Sequence, residues 1–256
     1  MPARPLALVR PPGPRLADGL LTHLDRTPVD VDLARAQWSA YVNAFRDAGW
    51  EVLEVPAADD CPDAVFVEDA VVVHDDLAVL TRPGAAERRG ETAGVEEVVR
   101  DLGLRVERVR APATLDGGDV LRTGGVAYVG VGSRTDGAGV ARLAELLEPA
   151  GVPVRAVPVT RALHLKSACT ALPDGTVVGW PPVVDDPSVF DRYEEVPEEG
   201  GAHVVRLAED HLLMAASAPM TAASFRTRGY AVTEVDISEM ERLEGCVTCL
   251  SVRLRP

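Results

Sequence analysis

Two cysteines near the end of the chain have the residue type and spacing to carry chemistry. Cys246 and Cys249 lie in EGCVTCLSVRL at 244–254, where a glycine-containing turn leads into a run predicted to be a strand. A thiolate at the mouth of a strand is well placed to attack an electrophile. A lone cysteine is more often a small buried core residue, so Cys249 is a candidate nucleophile only if a partner lies nearby.

The C-x-x-C spacing of these cysteines also invites comparison with redox and zinc motifs. A thioredoxin-like pair opens a helix, whereas the pattern at 250–254 predicts an extended chain. A zinc site needs two further ligands, and the sequence holds no second C-x-x-C and no H-x-x-x-H. Neither motif fits well. Oxidation of Cys169 and Cys246, or inhibitory zinc binding by them, stays open.

His164 is the candidate acid–base partner, and two aspartates are candidates to orient it. His164 lies between Leu163 and Leu165, a setting that also suits an ordinary core histidine. Asp116 and Asp119 belong to TLDGGDVL at 114–121, where two glycines permit close backbone approach at a strand entrance. One carboxylate could orient the imidazole, and the alternative is a glycine-rich turn capped by aspartates.

A third group of charged residues lies in PDAVFVED at 62–69. Asp63, Glu68 and Asp69 are interspersed with apolar residues that predict a buried strand. Buried carboxylates are costly unless they are paired, and a guanidinium substrate is one suitable partner. The competing internal partners are Arg88, Arg89 and Arg134.

The elements that must position these residues follow a strand, strand, helix, strand order. In the segment 32–49, Leu33, Trp38, Tyr41, Val42 and Phe45 are predicted to share one helical face. Helices are predicted over 32–49, 92–103 and 137–151, and strands over 51–55, 64–73, 77–82, 105–109, 119–130 and 154–159.

Internal similarity suggests that this order repeats. Polar clusters precede apolar strands at 64–73, 114–130 and 165–179, and more faintly at 210–219 and 246–254. Five units of roughly 45 residues around a pseudo-symmetry axis would direct the clusters to one centre, the predicted active site. The alternative is an ordinary α/β sheet with accidental similarity.

Composition limits the function classes. With 256 residues, 46% of them hydrophobic, the chain can bury a substantial core. The net charge of −14 argues against nucleic acid, because phosphate binding needs clustered Lys and Arg. No apolar run approaches the ~20 residues of a membrane span.

The first ten residues lack a signal-peptide pattern, and four cysteines are too few for a disulfide framework. We therefore expect a cytoplasmic protein with reduced thiols.

Six segments, in order, resemble the dimethylarginine dimethylaminohydrolase family of the guanidino-modifying (pentein) superfamily. They are PDAVFVED, TRPGAAERRGE, TLDGGDVL, GSRTDGAG, LHLKSACTAL and GCVTCLSVRL, and the match runs nearly end to end. The resemblance implies a five-fold pseudosymmetric α/β propeller in a single catalytic domain, 1–256. It also implies hydrolysis of asymmetric dimethylarginine, and of monomethylarginine, to citrulline and the alkylamine, with no metal or organic cofactor.

The same resemblance assigns roles by position. Cys249 would be the nucleophile, His164 the general acid and base, and Asp116 the orienting carboxylate, at a position where the family has Glu or Asp. The substrate-binding positions would be Glu68 and Asp69 for the guanidinium, Asp63 and the Leu20 backbone for the α-amino group, and Arg88 and Arg134 for the α-carboxylate. A bound cation would then lower the pKa of Cys249.

Three alternatives stay open at this point. An arginine deiminase would release ammonia from arginine, but such enzymes resemble this core with an added helical domain. An agmatine deiminase would leave Arg88 and Arg134 without a carboxylate to hold. A non-catalytic binding protein of the same fold would lack the Cys249–His164 pair. A homodimer through propeller edges is common among relatives, although no segment of this sequence indicates one.

Overall fold

The computed structural model describes residues 4–256. Residues 1–3, which belong to the predicted 1–256 domain and to the N-terminal segment considered above, lie outside the described residues. The strands are β1 Leu6–Val9, β2 Glu51–Glu54, β3 Val71–His74, β4 Leu77–Leu80, β5 Arg105–Arg108, β6 Val120–Thr123, β7 Val126–Val131, β8 Val154–Pro158, β9 Cys169–Ala171, β10 Val177–Gly179, β11 Tyr193–Glu195, β12 Val204–Ala208, β13 His211–Ala215, β14 Ala231–Val235 and β15 Val252–Leu254. The α-helices are α1 Val31–Asp47, α2 Ala93–Asp101, α3 Gly137–Leu147, α4 Leu165–Ala168, α5 Pro219–Thr227 and α6 Ser238–Glu241.

The strands form five three-stranded sheets of one design. In each sheet the inner strand pairs antiparallel with the middle strand, which pairs parallel with the outer strand. A helix connects the middle and outer strands in four units, and short 3₁₀ turns replace it between β10 and β11. The predicted strand, strand, helix, strand order and the five-fold pseudosymmetry are therefore confirmed.

The ring is closed by the two ends of the described chain. The sheet that contains β1 and β2 takes its inner strand, β15, from the carboxyl end, with Leu6 opposite Leu254 and Leu8 opposite Val252. Antiparallel pairing of the first and last strands therefore places both ends of the described chain in one unit. Among residues 4–256, none of the helices combines the length and the apolar character needed to cross a bilayer.

Helix α1 follows its predicted pattern with one exception. The Asp30 side chain caps the helix by accepting hydrogen bonds from the Asp32 and Leu33 amides. The side chains of Trp38, Tyr41, Val42 and Phe45 are buried as predicted, but that of Leu33 is 43% exposed. At 3.6 residues per turn, Leu33 lies about 130° from the mean direction of the other four, so it faces solvent.

One strand prediction near the polar clusters was wrong in part. Of the segment 64–73, only residues 71–73 belong to a strand, β3. The amides of Phe66 and Asp69 instead donate to the carbonyls three residues earlier, and Val67–Ala70 forms a 3₁₀ turn. The apolar strand predicted within 210–219 is confirmed as β13, which is the middle strand of its sheet, with β12 as the inner strand. In both places the apolar composition was recognised, but turn geometry and strand order depend on distant neighbours.

Helix α1 also supports the turn at residues 246–249. The Tyr41 hydroxyl is fully buried, donates to the Val247 carbonyl at 2.7 Å and lies 2.7 Å from the Ser251 hydroxyl. Burial raises the pKa of Tyr41, so the group is a neutral hydrogen-bond donor at physiological pH. One phenol thus connects the longest helix to the 246–249 turn.

Replacing this phenol tests its structural contribution. We expect Tyr41→Phe to lower the free energy of unfolding by about 1–3 kcal/mol, because a buried carbonyl loses its partner. Urea titration of the wild type and variant measures the difference. Tyr230→Phe is the matched control, since no side-chain hydrogen bond involves the Tyr230 hydroxyl within residues 4–256. Equal losses in the two variants would contradict the assignment.

Candidate active site

Residues from four of the five units meet around a narrow cavity, whereas the predicted cluster at 210–219 contributes none of its lining. The cavity has about 300 Å³ of atom-free space. Its lining includes seven of the nine predicted site residues, and Asp116 lies directly behind it, whereas Glu68 is directed elsewhere. The lining residues are Leu20, Asp63, Phe66, Asp69, Arg88, Arg134, Leu163, His164, Leu243, Glu244, Gly245 and Cys249.

His164 is held between two carboxylates at the start of α4. Its Nε2 lies 3.0 Å from Oδ2 of Asp116, and its Nδ1 lies 3.8 Å from Oδ1 of Asp69. Burial lowers the pKa of His164, but the charge of Asp69, the hydrogen bond with Asp116 and the charge of Asp119 outweigh it and raise the pKa to about 9. The imidazole is therefore protonated at neutral pH.

Asp119 positions His164 through the backbone. Its Oδ1 accepts a hydrogen bond from the amide of Leu165, the first residue of α4, and its Oδ2 accepts one from the Thr135 hydroxyl at 2.6 Å. Thr135 Oγ1 also accepts a hydrogen bond from the Asp116 amide. Burial raises the pKa of Asp119 to about 6, against the opposing charge of His164 and these hydrogen bonds. The two aspartates of TLDGGDVL thus orient one imidazole, one directly and one through α4.

The glycines between these aspartates allow the close approach. A Cβ on Gly118 would lie 2.6 Å from Oδ1 of Asp69 and 2.8 Å from Nδ1 of His164, and a Cβ on Gly117 would lie 2.0 Å from the Glu68 carbonyl oxygen. The Gly118 amide donates to Asp69 at 2.8 Å. Only residues without a side chain fit this point of the ring.

Asp69 is paired with Arg88, as the internal alternative anticipated. Arg88 donates to Asp69 at 2.7 Å, to both oxygens of Glu91 and to the Asp63 carbonyl. These four bonds leave one of the five guanidinium N–H groups free. Burial opposes the charge on both groups. Glu91 and Asp69 nevertheless raise the pKa of Arg88, and His164 and Arg88 lower the pKa of Asp69. Glu91 was missed, although its spacing of three residues from Arg88 suits a helical turn.

Arg134 reaches the cavity with an unused donor. Its Nη2 lies 3.4 Å from the Thr22 hydroxyl, and its Nη1 is 3.9 Å from Asp116. Nη1 is buried and has no hydrogen-bond partner in the described part of the chain. A buried donor of this kind is costly when unsatisfied and suits an anionic ligand group.

The mouth of the cavity is formed by the segment around Leu20. Both carboxylate oxygens of Asp63 accept from the Leu20 amide, at 3.2 and 3.1 Å, and burial raises the pKa of Asp63. Glu244 Oε1 accepts from three successive amides, those of Thr22, His23 and Leu24. No local pattern predicted the role of Glu244, because its partners are more than 200 residues away in the sequence.

Cys249 lies opposite these polar groups, in the 246–249 turn. Its carbonyl accepts a hydrogen bond from the Glu68 amide at 3.1 Å, which fixes the turn against the 3₁₀ turn at Val67–Ala70. The hydrogen bond with Cys246 and burial both raise the pKa of Cys249, so its sulfur is a neutral thiol at rest. Cys249 and His164 line the same cavity.

Glu68 does not point into this cavity, contrary to its predicted contact with the guanidinium. Its Oε1 lies 2.6 Å from Nζ of Lys166 and 2.6 Å from Nη2 of Arg253. These three residues line a separate, larger cavity with about 1900 Å³ of atom-free space. The two cations draw the carboxylate away from Asp69, whose own charge repels it.

One cluster of possible metal ligands was found among residues 4–256, formed by Asp69, Asp116 and His164. Both ring nitrogens of His164 face carboxylates, and Asp69 and Asp116 also accept hydrogen bonds from the Gly118 and Gly84 amides. These contacts compensate the charges within the cluster, which serves to hold the imidazole.

A family model, curated relatives and a solved structure indicate one family. Residues 26–192 match the family model described as N,N dimethylarginine dimethylhydrolase, eukaryotic. The N(G),N(G)-dimethylarginine dimethylaminohydrolases of Streptomyces coelicolor and Pseudomonas aeruginosa are 61% and 35% identical, over 97% and 96% of this chain and 96% and 98% of theirs. A structure of the Pseudomonas aeruginosa enzyme, a cysteine-to-serine variant complexed with citrulline, superposes with a TM-score of 0.90 at 33% identity, covering 97% of this chain and 98% of that one.

Because Gly118 lies so close to Asp69 and His164, adding a methyl group at this position should disturb both side chains. We expect Gly118→Ala to displace Asp69 and His164 and to lower the free energy of unfolding by about 1–3 kcal/mol, the usual cost of overpacking. Urea titration and an NMR spectrum of the His164 ring would measure both effects. Gly137→Ala is the control, because a Cβ there meets no atom within 4 Å. An unshifted His164 resonance in Gly118→Ala would contradict the prediction.

The charge of Asp116 can be tested by titration of His164. We expect Asp116→Asn to lower the pKa of His164 from about 9 by about one unit or more, since a direct carboxylate partner is lost. Histidine NMR titration, with assignment by His164→Gln, measures the shift, and the surface variant Asp191→Asn should leave it unchanged.

The same shift has a consequence for stability. Because the pKa of His164 is higher in the folded state than in the unfolded state, its protonation stabilises the folded protein. This contribution is fully present below the unfolded pKa of 6.5 and is lost as the pH rises through the folded pKa of about 9. The difference in unfolding free energy between the wild type and Asp116→Asn should therefore shrink over this range. A constant difference would contradict the charge argument.

Proposed function

This chain belongs to the dimethylarginine dimethylaminohydrolase family, and we propose that it hydrolyses asymmetric dimethylarginine to citrulline and dimethylamine, and monomethylarginine to citrulline and methylamine. The observation that carries the proposal is the single narrow cavity that Cys249, protonated His164, Asp69 and the unsatisfied Nη1 of Arg134 line together. A substrate with a guanidinium at one end and a carboxylate at the other matches this charge distribution.

The two ends of the cavity suit the two ends of an amino acid substrate. Arg134 offers a buried donor to the α-carboxylate, and Thr22 lies beside it. Asp63, already fixed by the Leu20 amide, offers a carboxylate to the α-ammonium group. Arg88 is largely engaged with Asp69 and Glu91, so we infer that it acts mainly by holding Asp69 in place and has one donor left for substrate.

The guanidinium end would lie among Asp69, His164 and Cys249. A planar cation here adds positive charge beside the neutral thiol of Cys249, which lowers the pKa of that thiol and favours the thiolate. The thiolate attacks the guanidinium carbon and forms a tetrahedral adduct. His164, protonated at rest, then gives its proton to the departing amine, which is a very poor leaving group without it.

The second half of the reaction reverses the role of His164. The imidazole left neutral by the first step removes a proton from water, and the resulting hydroxide attacks the carbon of the thiouronium intermediate. The carbon–sulfur bond breaks, citrulline leaves, and Cys249 takes back the electron pair as thiolate. Asp116 keeps the ring in one orientation and stabilises its charged form in both halves.

We propose that the whole chain, 1–256, forms one catalytic domain. The pairing of β15 with β1 supports this, because it joins the two ends of the described residues, 4–256, in one sheet. The four cysteines are unpaired, as is usual for proteins of the reducing cytoplasm, which we take as the place of action.

A substrate panel tests the proposed activity. Purified protein is incubated with asymmetric dimethylarginine, monomethylarginine, arginine and agmatine, and citrulline or carbamoylputrescine is quantified. We expect citrulline from the two methylated substrates and at least about a hundredfold less from arginine and agmatine, because activity depends on fit at the leaving amine and on the carboxylate contact.

Two variants sharpen this assay. Cys249→Ser should abolish turnover, whereas Arg134→Gln should raise KM more than it lowers kcat, because the carboxylate contact is remote from the reacting carbon. Turnover of free arginine would make the protein a deiminase. An undiminished rate in Cys249→Ser would overturn the proposed nucleophile.

A further inference from the structure

The two cysteines of the 246–249 turn face each other. Their sulfur atoms are 3.2 Å apart, closer than the sum of two sulfur radii, and both side chains are buried. The sequence disfavoured a redox pair because the run after Cys249 looked extended, and β15 is indeed extended from Val252. A helix is not what brings these sulfurs together; the turn itself does so.

The backbone of the turn suits a covalent bond between them. The Cys249 amide donates to the Cys246 carbonyl at 3.1 Å, the bond that closes a four-residue turn. Such a turn keeps its end Cα atoms within about 7 Å, and disulfides span Cα separations of about 4.4–6.8 Å. The turn therefore holds the two Cα atoms at a separation that a disulfide can span.

The two thiols differ in access and in protonation. Cys249 lines the cavity, whereas Cys246 lies behind it, 3.1 Å from the Thr248 hydroxyl. The hydrogen bond with Cys249 lowers the pKa of Cys246, against the effect of burial. A small oxidant would thus reach Cys249 first, with a nucleophilic second sulfur already in contact.

Metal binding does not account for this pair. Cys246 and Cys249 belong to no group of three nearby His, Cys, Asp or Glu ligands in the part of the chain that the structure describes. Two sulfurs alone do not complete a zinc site.

We propose that Cys246 and Cys249 form a modification site at which hydrogen peroxide converts the two thiols into a reversible disulfide. The Cys249 thiol passes its proton to the adjacent Cys246 thiolate, and the Cys249 thiolate so formed attacks one peroxide oxygen; the O–O bond breaks, and the leaving hydroxide takes up the proton that Cys246 had lost, giving water. The Cys246 sulfur then attacks the Cys249 sulfenic acid, the S–O bond breaks, and a second water leaves. Two thiols and one peroxide give one disulfide and two waters.

The disulfide has two consequences for the cavity. It removes the candidate nucleophile, so turnover stops while the bond persists; this consequence alone rests on the proposed function. It also consumes the sulfenic acid before a second peroxide can convert it to sulfinic acid, which thiols do not reduce. Cys246 would thus protect Cys249 from permanent loss.

Peptide mapping tests the bond without reference to activity. The tryptic peptide 243–253 contains both cysteines and no others. After peroxide treatment, alkylation and digestion, we expect this peptide in the wild type to be lighter by two hydrogen atoms and unalkylated, and to return to the dithiol after dithiothreitol. A peptide that instead gains two oxygen atoms at Cys249 overturns the proposal, whatever the substrate panel shows.

Matched variants give the second readout. Cys246→Ser, or Cys246→Ala if the serine variant folds poorly, should turn over substrate when reduced but lose activity irreversibly with peroxide. Dithiothreitol should restore the wild type at least about tenfold more than this variant, because sulfinic acid is not reduced by thiols. Cys61→Ser, which changes the most exposed of the four thiols, should behave as the wild type. Equal recovery with and without Cys246 would overturn the proposal.

Discussion

The pairing of the buried imidazolium of His164 with Asp116 and Asp69 is the interaction on which this end of the molecule depends. An ionised group taken out of water costs several kcal/mol or more unless opposite charges and hydrogen bonds compensate it. Here the compensation continues outward, from Asp69 to Arg88 and from Arg88 to Glu91. Removing one member would leave its partner buried and unpaired, so these residues act as one unit.

The five-unit ring makes such a dense charge cluster possible. The turns that precede four inner strands, β3, β6, β9 and β15, carry Asp69, Asp116, His164 and Cys249, so residues from distant parts of the sequence reach the same site. Gly117 and Gly118 remove the last steric obstacle, and Asp119 anchors the first turn of α4. The short arm of Asp116 therefore reaches His164 through backbone placement.

The charged residues near the centre of the ring line two separate cavities. On one side, Asp69 and His164 face Cys249 in a narrow cavity; on the other, Glu68 binds Lys166 and Arg253 in a wider one. The 246–249 turn touches both regions, through Cys249 on one side and Thr248 on the other. The Tyr41 hydroxyl binds the carbonyl of Val247 within this turn, and the turn places the thiols of Cys249 and Cys246 in contact.

The sequence by itself determined the repeated strand, strand, helix, strand order, the buried face of α1 and the residue types that could carry the chemistry, because periodicity and motif spacing are local properties. Only the tertiary structure decided that Glu68 turns away, that Arg88 pairs with Asp69, that Glu244 holds the segment after Leu20 and that Cys246 meets Cys249. A carboxylate or guanidinium group has several possible partners in the sequence, and the distance to each partner and the burial of the pair decide which ion pair forms. Those quantities are set by contacts such as that of Glu244 with Thr22, which lie 222 residues apart in the chain.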